Sequence, residues 1–316
     1  MYRGKQNLSP RKTLPILALL IVLALTALIW FYPPNGDFIT GNPFWNGLST
    51  FTTDSKVSPI TSFDNLPSPS KETVLIVIPY MQLTETELDN LSQYVSRGGA
   101  LIILDDYGYG NQILNRLGLD MRFTGKPLLD PLFDYKNKWL PRITDFTQTP
   151  ITSNMTSIVL NHASTISNVS DNAVIAWSSR FSFLDVNGDS NWETDEPMGP
   201  LPVAAYAKVG EGYIVAVSDP SFLINGMISM DDNLNFIKKL TQLQSSSPTI
   251  FLDQSHLPKT SLDDAKQTIA TIYNSASSPL GTLSLITVIL ALALNPVWRK
   301  SEKNEQTSTE RTEREP

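Results

Sequence analysis

Residues 73–111 read TVLIVIPYMQLTETELDNLSQYVSRGGALIILDDYGYGN, and this stretch decides the fold. Thr73–Pro79 is a continuous apolar run, the pattern of a strand buried on both faces of a parallel sheet. Thr84 opens a helix, and Glu87 three residues later completes a capping box. Leu88, Leu91, Tyr94 and Val95 recur at helical spacing and mark its inner face. Gly98-Gly99 supplies the left-handed stop. Ala100–Leu104 is a second apolar strand, and Asp105-Asp106-Tyr107-Gly108-Tyr109-Gly110 is the turn leaving its carboxyl end. The result is one βαβ unit, with the right-handed crossover that parallel strands require.

The chain around this unit has 316 residues, no cysteine and two histidines, His162 and His256. Disulfides, thiolate metal sites and cysteine nucleophiles are therefore excluded, as is a three-histidine zinc site. The formal net charge is −7 and no basic stripe crosses the middle of the chain, so nucleic acid is not an expected partner. Thr13–Tyr32 carries no charge and is long enough for a hydrocarbon core of about 30 Å at 1.5 Å per residue. Trp30, Phe31 and Tyr32 form an aromatic belt at its end. The alternative is a cleaved signal peptide. The apolar run exceeds the usual ~7–15 residue signal core, and Ala24-Leu25-Thr26 ends on threonine where a small residue is wanted, which favours an uncleaved anchor. A second apolar run, Pro279–Trp298, precedes Arg299, Lys300 and Lys303, as Arg3, Lys5, Arg11 and Lys12 precede the first.

Both cationic flanks want the cytoplasm. The predicted organisation is a cytoplasmic segment 1–12, a transmembrane helix 13–32, an extracytoplasmic α/β domain 33–278, a transmembrane helix 279–298 and a disordered cytoplasmic tail 299–316. Residues 33–278 hold 15 Lys+Arg against 26 Asp+Glu, a net −11, which fits this division. Gly281, Thr282 and Ser284 are small enough for a helix–helix contact.

Elsewhere the pattern predicts a short helix over Trp45–Phe51, a strand near Ile60–Phe63, a linker over Leu66–Glu72 and a helix over Gln112–Leu117. Lys126–Thr149 reads as a long surface insertion. Ser157–Leu160 and Ala173–Trp177 read as strands, and Leu201–Lys208 and Tyr213–Ser218 as a hairpin around Gly210-Glu211-Gly212. A helix over Asp232–Leu243 and a last strand over Thr249–Leu252 follow.

The sharpest chemical pattern is DVNGDSNWETDE, Asp185–Glu196. Asp185, Asn187, Asp189, Asn191, Glu193 and Glu196 stand at positions 1, 3, 5, 7, 9 and 12 of an EF-hand-type loop, and six to eight oxygens are what calcium takes. Against this, Ser190 stands where the loop wants glycine and Pro197 forbids a helix directly after; a solvated acidic loop with Asx turns is the alternative. A second candidate is a pocket at the carboxyl ends of the strands, drawn from Asp105, Asp106, Gly108, Gly110 and Asn111 in one turn and Asp219 and Asn225 in another. These two loops are expected to converge. Phosphate is a poor fit there, because the third glycine of a dinucleotide turn is replaced by Ile113 and two aspartates repel an anion. A Ser221–His256–Asp219 set lacks a glycine-flanked nucleophile elbow. Asn90, Asn154 and Asn168 begin glycosylation sequons.

The D-x-G-x-G-N turn (Asp106, Gly108, Gly110, Asn111), the hairpin and the later Asp219, Asn225, Asp232 and Asn233 resemble, over roughly residues 74–253, the DUF4350-type membrane proteins. These are similar in turn to the class I glutamine-amidotransferase-like fold, also seen in gliding-motility accessory proteins and an intraflagellar transport subunit. The resemblance implies a flavodoxin-like, layered α/β ectodomain with a mostly parallel sheet, in a family with no assigned activity in most relatives. The amidotransferase reaction does not carry over, because its cysteine is missing. Relatives often carry an acidic pair and a histidine before the last membrane helix; here the stretch is Asp253-Gln254-Ser255-His256, with Gln254 in place of the second acid. The expected function is a non-enzymatic recognition or scaffold domain, an accessory subunit of a membrane assembly that includes a cytoplasmic ATPase. The alternative is a hydrolase using Asp105, Asp106, Asp219 and His256, with one carboxyl raised in pKa.

Overall fold

Alternation at period two sorts the strand residues into two cores. In β2 (Thr73–Val77), Val74 and Ile76 enter one core and Leu75 and Val77 the other. In β3 (Ala100–Leu104), Ala100, Ile102 and Leu104 oppose Leu101 and Ile103 in the same way. Helix α3 (Glu85–Ser96) lays Leu88, Leu91, Tyr94 and Val95 on the second face, joined by Ile113 and Leu114 of α4 (Asn111–Arg116). Phe236, Ile237 and Leu240 of α5 (Asn233–Thr241) cover the first face together with Phe222. The result is a helix–sheet–helix layering within Pro33–Thr260, one of two units into which the chain divides. This is a computed structural model that describes residues 10–149, 151–291 and 293–295.

The large sheet also contains β1 (Ser58–Ile60), β4 (Asp145–Phe146), β5 (Val174–Trp177), β6 (Pro202–Val209), β7 (Gly212–Val217) and β8 (Thr249–Asp253). Their order is β1-β8-β2-β3-β7-β6-β5-β4. The first four pairings are parallel and the last three antiparallel. The capping box on α3 is present: the Thr84 hydroxyl accepts from the Glu87 N–H, and the Glu87 carboxylate accepts from the Thr84 N–H at 2.8 Å. Gly98, at φ +109, ends the helix as its sequence demands.

Several boundaries differ from expectation. Helix α2 runs Ser49–Ser55, starting four residues later than predicted, because the amide of Asn225 and not a local side chain caps it. The predicted surface insertion is no mere surface feature. It supplies the edge strand β4, and its Leu128, Leu129 and Ile143 are wholly buried. Two-stranded ladders of 128–129 with 183–184 and 142–143 with 158–159 stitch it down, and 122–123 pairs with 166–167 just before it. Strands of two residues leave too short a period to read in sequence.

The second unit comprises the chain on either side of Pro33–Thr260. Helix α1 spans Pro10–Phe31, and its Leu14–Phe31 is the one helix among the described residues long and apolar enough alone to cross a membrane. Residues 261–277, for which the sequence reading gave no element, form α6 (Ser261–Ser277). The second predicted span is not shown as a transmembrane helix. Its described part, Pro279–Asn295, is bent by 78° from α6, and only the two together, as one broken span, pass the same test. The break sits at Pro279, which has no N–H to continue the α6 ladder. Arg3, Lys5, Trp298, Arg299, Lys300, Lys303 and the tail lie outside the described residues.

Candidate functional site

Because β8, β2, β3 and β7 are mutually parallel, their carboxyl ends share one edge. Leu104 of β3 pairs with Val217 of β7, so Asp105 and Asp106 leave the sheet beside Ser218 and Asp219. The Asp105 N–H still donates to the Val217 carbonyl at 3.1 Å. Strand separation at this edge is about 4.8 Å, so the two chain exits bring Asp106 and Asp219 together.

The two neighbouring aspartates of the turn do different jobs. Asp105, 2 % exposed, accepts from the N–H groups of Tyr107 and Gly108 at 2.9 Å and of Gly110 at 2.6 Å. It fills the N–H nest where an anion would otherwise bind, which gives the physical reason phosphate does not suit this turn. Gly108 sits at φ +96. Gly110 is needed for space: a Cβ there would meet Ile103 Cγ2 at 2.8 Å and Asp105 Oδ2 at 3.0 Å. Asp106 points elsewhere. Its Oδ1 is buried and has no hydrogen-bond partner among the described residues. Burial, with the Asp105 charge adding, pushes its carboxyl up to about 7.

Asp219 is fully buried, accepting from the Asn161 N–H at 2.7 Å and the Ser221 N–H at 2.6 Å. Burial and then the Asp106 charge raise it well above the carboxylate range, against the N–H groups of Asn161, Ser221 and Phe222. Tyr80, just past β2, completes the cluster. Its hydroxyl is raised by burial and by the charges of Asp106, Tyr107, Asp37 and Asp219. Its ring lies 5.6 Å edge-on from Tyr107 and 5.5 Å from Phe38. Tyr107 is 62 % exposed at the rim. Sequence reading missed Tyr80 and Asp37; only the topology carries them to this edge.

The other predicted pocket residues hold the fold. Asn111 clamps Phe123, accepting from its N–H at 2.8 Å and donating to its carbonyl at 2.9 Å. Asn225 accepts from the Thr50 N–H and donates to the carbonyls of Asn42 and Phe44. Asp232 accepts from Thr156 and Ser157, and Asn233, wholly buried, binds both backbone groups of Val159. Gln254 straps residues 38–40 down: its carbonyl accepts from the Thr40 N–H and its amide donates to the Phe38 carbonyl. A carboxylate has no N–H to donate, which accounts for glutamine here. Of the expected convergence, the structure brings Asp106 and Asp219 together and leaves Asn111 and Asn225 as clamps.

The oxygen-rich loop closes on itself. Asp185 accepts from the N–H groups of Gly188 and Ser190, and Glu196 from those of Val186 and Glu193. Asn187 and Asp189 bond locally to the N–H groups of Asp189 and Asn191, and Asn187 donates its amide to Glu193. Among the described residues no three carboxylates or imidazoles are grouped so as to hold a metal ion. Ser221 and His256 are not joined in a triad: the His256 ring bonds Asp253 and pairs with Glu87.

No curated protein matches the chain. Among solved structures, the N-terminal domain of mmIFT52 is similar at 14 % identity over 54 % of this chain and 77 % of that one, with a TM-score of 0.41. A cytoplasmic protein of Salmonella typhimurium LT2 is similar at 11 % identity over 63 % and 86 %, TM-score 0.40. A β-galactosidase from Bacillus circulans sp. alkalophilus is similar at 13 % over 50 % of this chain and 22 % of that one, TM-score 0.30. The family described as "Domain of unknown function (DUF4350)" matches residues 45–241, well over half of the chain, and the protein belongs to that family.

Proposed function

We propose that this chain is a membrane-anchored, extracytoplasmic recognition domain, flavodoxin-like in its layering, which binds a ligand at the Asp106–Asp219–Tyr80 edge without turning it over. The single observation behind this reading is the buried Asp106 Oδ1, without a hydrogen-bond partner among the described residues, beside a fully buried Asp219. A buried acceptor without a partner costs the fold about 1–3 kcal/mol, and an incoming N–H or O–H recovers that cost. Aspartates and tyrosines surround the position, so an amine, guanidinium or hydroxyl-rich group suits it and an anion does not. Catalysis is disfavoured because the chain has no cysteine and the Ser255 hydroxyl beside His256 is bonded to Asp253. The anchor and the site together support an accessory subunit of a membrane assembly, held by α1 and the C-terminal apolar segment with both termini cytoplasmic. The test is purification from the native membrane in mild detergent. A stoichiometric partner, lost in Asp106→Ala, supports the reading. A solitary protein that hydrolyses esters or glycosides in a substrate screen, and stops on Asp106→Asn, replaces it with the carboxylate hydrolase.

A further inference from the structure

Away from Asp106, one buried imidazole is held between two carboxylates. His256 is 4 % exposed and follows β8. Its Nδ1 lies 2.7 Å from Asp253 Oδ2, itself 1 % exposed, and its Nε2 lies 3.4 Å from Glu87 Oε1 at the first turn of α3. These are the ion pairs it makes among the described residues. Ser255 Oγ stands 3.1 Å from Nδ1, and the Phe63 ring packs 4.7 Å away from the short turn Phe63–Asn65. Acceptors face both ring nitrogens, so the doubly protonated ring is the form that satisfies both. The backbone carbonyl of His256 accepts from the Tyr80 N–H at 3.1 Å. Thus one residue grips the end of β8, the start of α3 and the loop between β2 and α3 that carries Tyr80.

We propose that His256 is a proton-operated clasp on the 78–84 loop: protonated, it pins the loop between Asp253 and Glu87; deprotonated, it releases the Glu87 end. Burial pushes the imidazole down, but Asp253 and then Glu87 outweigh it and hold the ring above its usual range. Burial likewise pushes Glu87 up, and the Thr84 N–H and hydroxyl with the imidazolium outweigh it and hold the acid low. A raised histidine binds its proton more tightly folded than open, so the clasp is complete at acidic pH and is lost as pH rises through the folded-state titration. Where Tyr80 lines the proposed site, a consequence that rests on that reading, the same proton controls ligand affinity.

The chain has two histidines, so two imidazole resonances report on the test. The full-length protein in detergent, with ¹³C-labelled histidine, is followed from pH 5 to pH 9 together with amide exchange over residues 78–84, corrected for intrinsic base catalysis. His256 should titrate above about 6.5, and Tyr80 amide protection should fall by up to about tenfold per pH unit beyond that point. Glu87→Gln keeps the capping box, since glutamine also serves there, and should lower the His256 titration. A His256 titrating at or below 6.5, or a loop whose exchange profile is the same in wild type and Glu87→Gln, overturns the clasp. A loop that follows the profile in a protein for which no ligand is found at Asp106 supports the clasp and counts against the site. A ligand held equally well on both sides of the titration overturns its control of the site.

Discussion

Replacing Asp106 by asparagine should stabilise the protein, increasingly as pH climbs through the acid range and fully above neutrality. The folded state holds the carboxyl proton up to about pH 7, whereas the ordinary value is 3.8. Over that window the folded chain binds more protons than the unfolded chain, so stability falls as pH climbs through it. A carboxyl raised this far costs the folded state about 4 kcal/mol when fully ionised, at about 1.4 kcal/mol per tenfold. Water on the open side of the group and relaxation around the charge reduce this to about 1–3 kcal/mol. Asparagine keeps the shape and an acceptor oxygen and never ionises. Thermal melts of full-length wild type and Asp106→Asn in the same detergent, at pH 4.5 and pH 8, give the answer. At pH 8 the variant should melt about 3–10 °C higher, taking roughly 2–4 °C per kcal/mol for a unit of this size; at pH 4.5 the difference should shrink to about a quarter of that. An equal gap at both pH values, or a variant less stable at pH 8, would refute the reasoning, because burial of a charge would then not be what sets Asp106 apart. A gain in stability at a residue whose removal abolishes binding is the signature of a functional site held at a cost to the fold.

Asp105→Ala should lose about 3–5 kcal/mol in urea unfolding, because three buried N–H groups lose a charged acceptor together; a loss below 1 kcal/mol would show that the turn stands without it. Asp185→Ala should lose about 2–3 kcal/mol in calcium-free buffer, from the orphaned N–H groups of Gly188 and Ser190. Millimolar calcium raising the wild-type melting temperature but not that of Asp185→Ala is what the oxygen spacing predicts, and an unmoved wild type removes the ion. Protease added to intact cells should digest residues 33–260 and spare tags at both ends; a protected middle rejects the proposed topology.

The βαβ unit was legible in residues 73–111 because both of its signals are local. A strand buried on both faces must be apolar throughout, and a helix covering it must repeat its apolar residues every three to four positions. The capping box and the Gly98 stop were legible for the same reason. The composition alone excluded thiol chemistry and multi-histidine metal sites. What the sequence did not carry is register between distant strands. The two loops were expected to converge, but that Asp106 and Asp219 are the residues that meet follows from Leu104 pairing with Val217 across more than a hundred residues. That Asn225, also in a loop past β7, caps a helix near residue 50 follows from the same packing seen from the other side. Tyr80, Asp37 and the reach of His256 to Glu87 were invisible because their partners come from separate elements, and no short-range pattern encodes a neighbour that only the closed sheet supplies. The calcium-like spacing shows the converse: the oxygens stand where the sequence puts them, but folding turned them inward onto the loop's own N–H groups, since an unpaired buried donor costs more than a short side chain loses by turning to meet it.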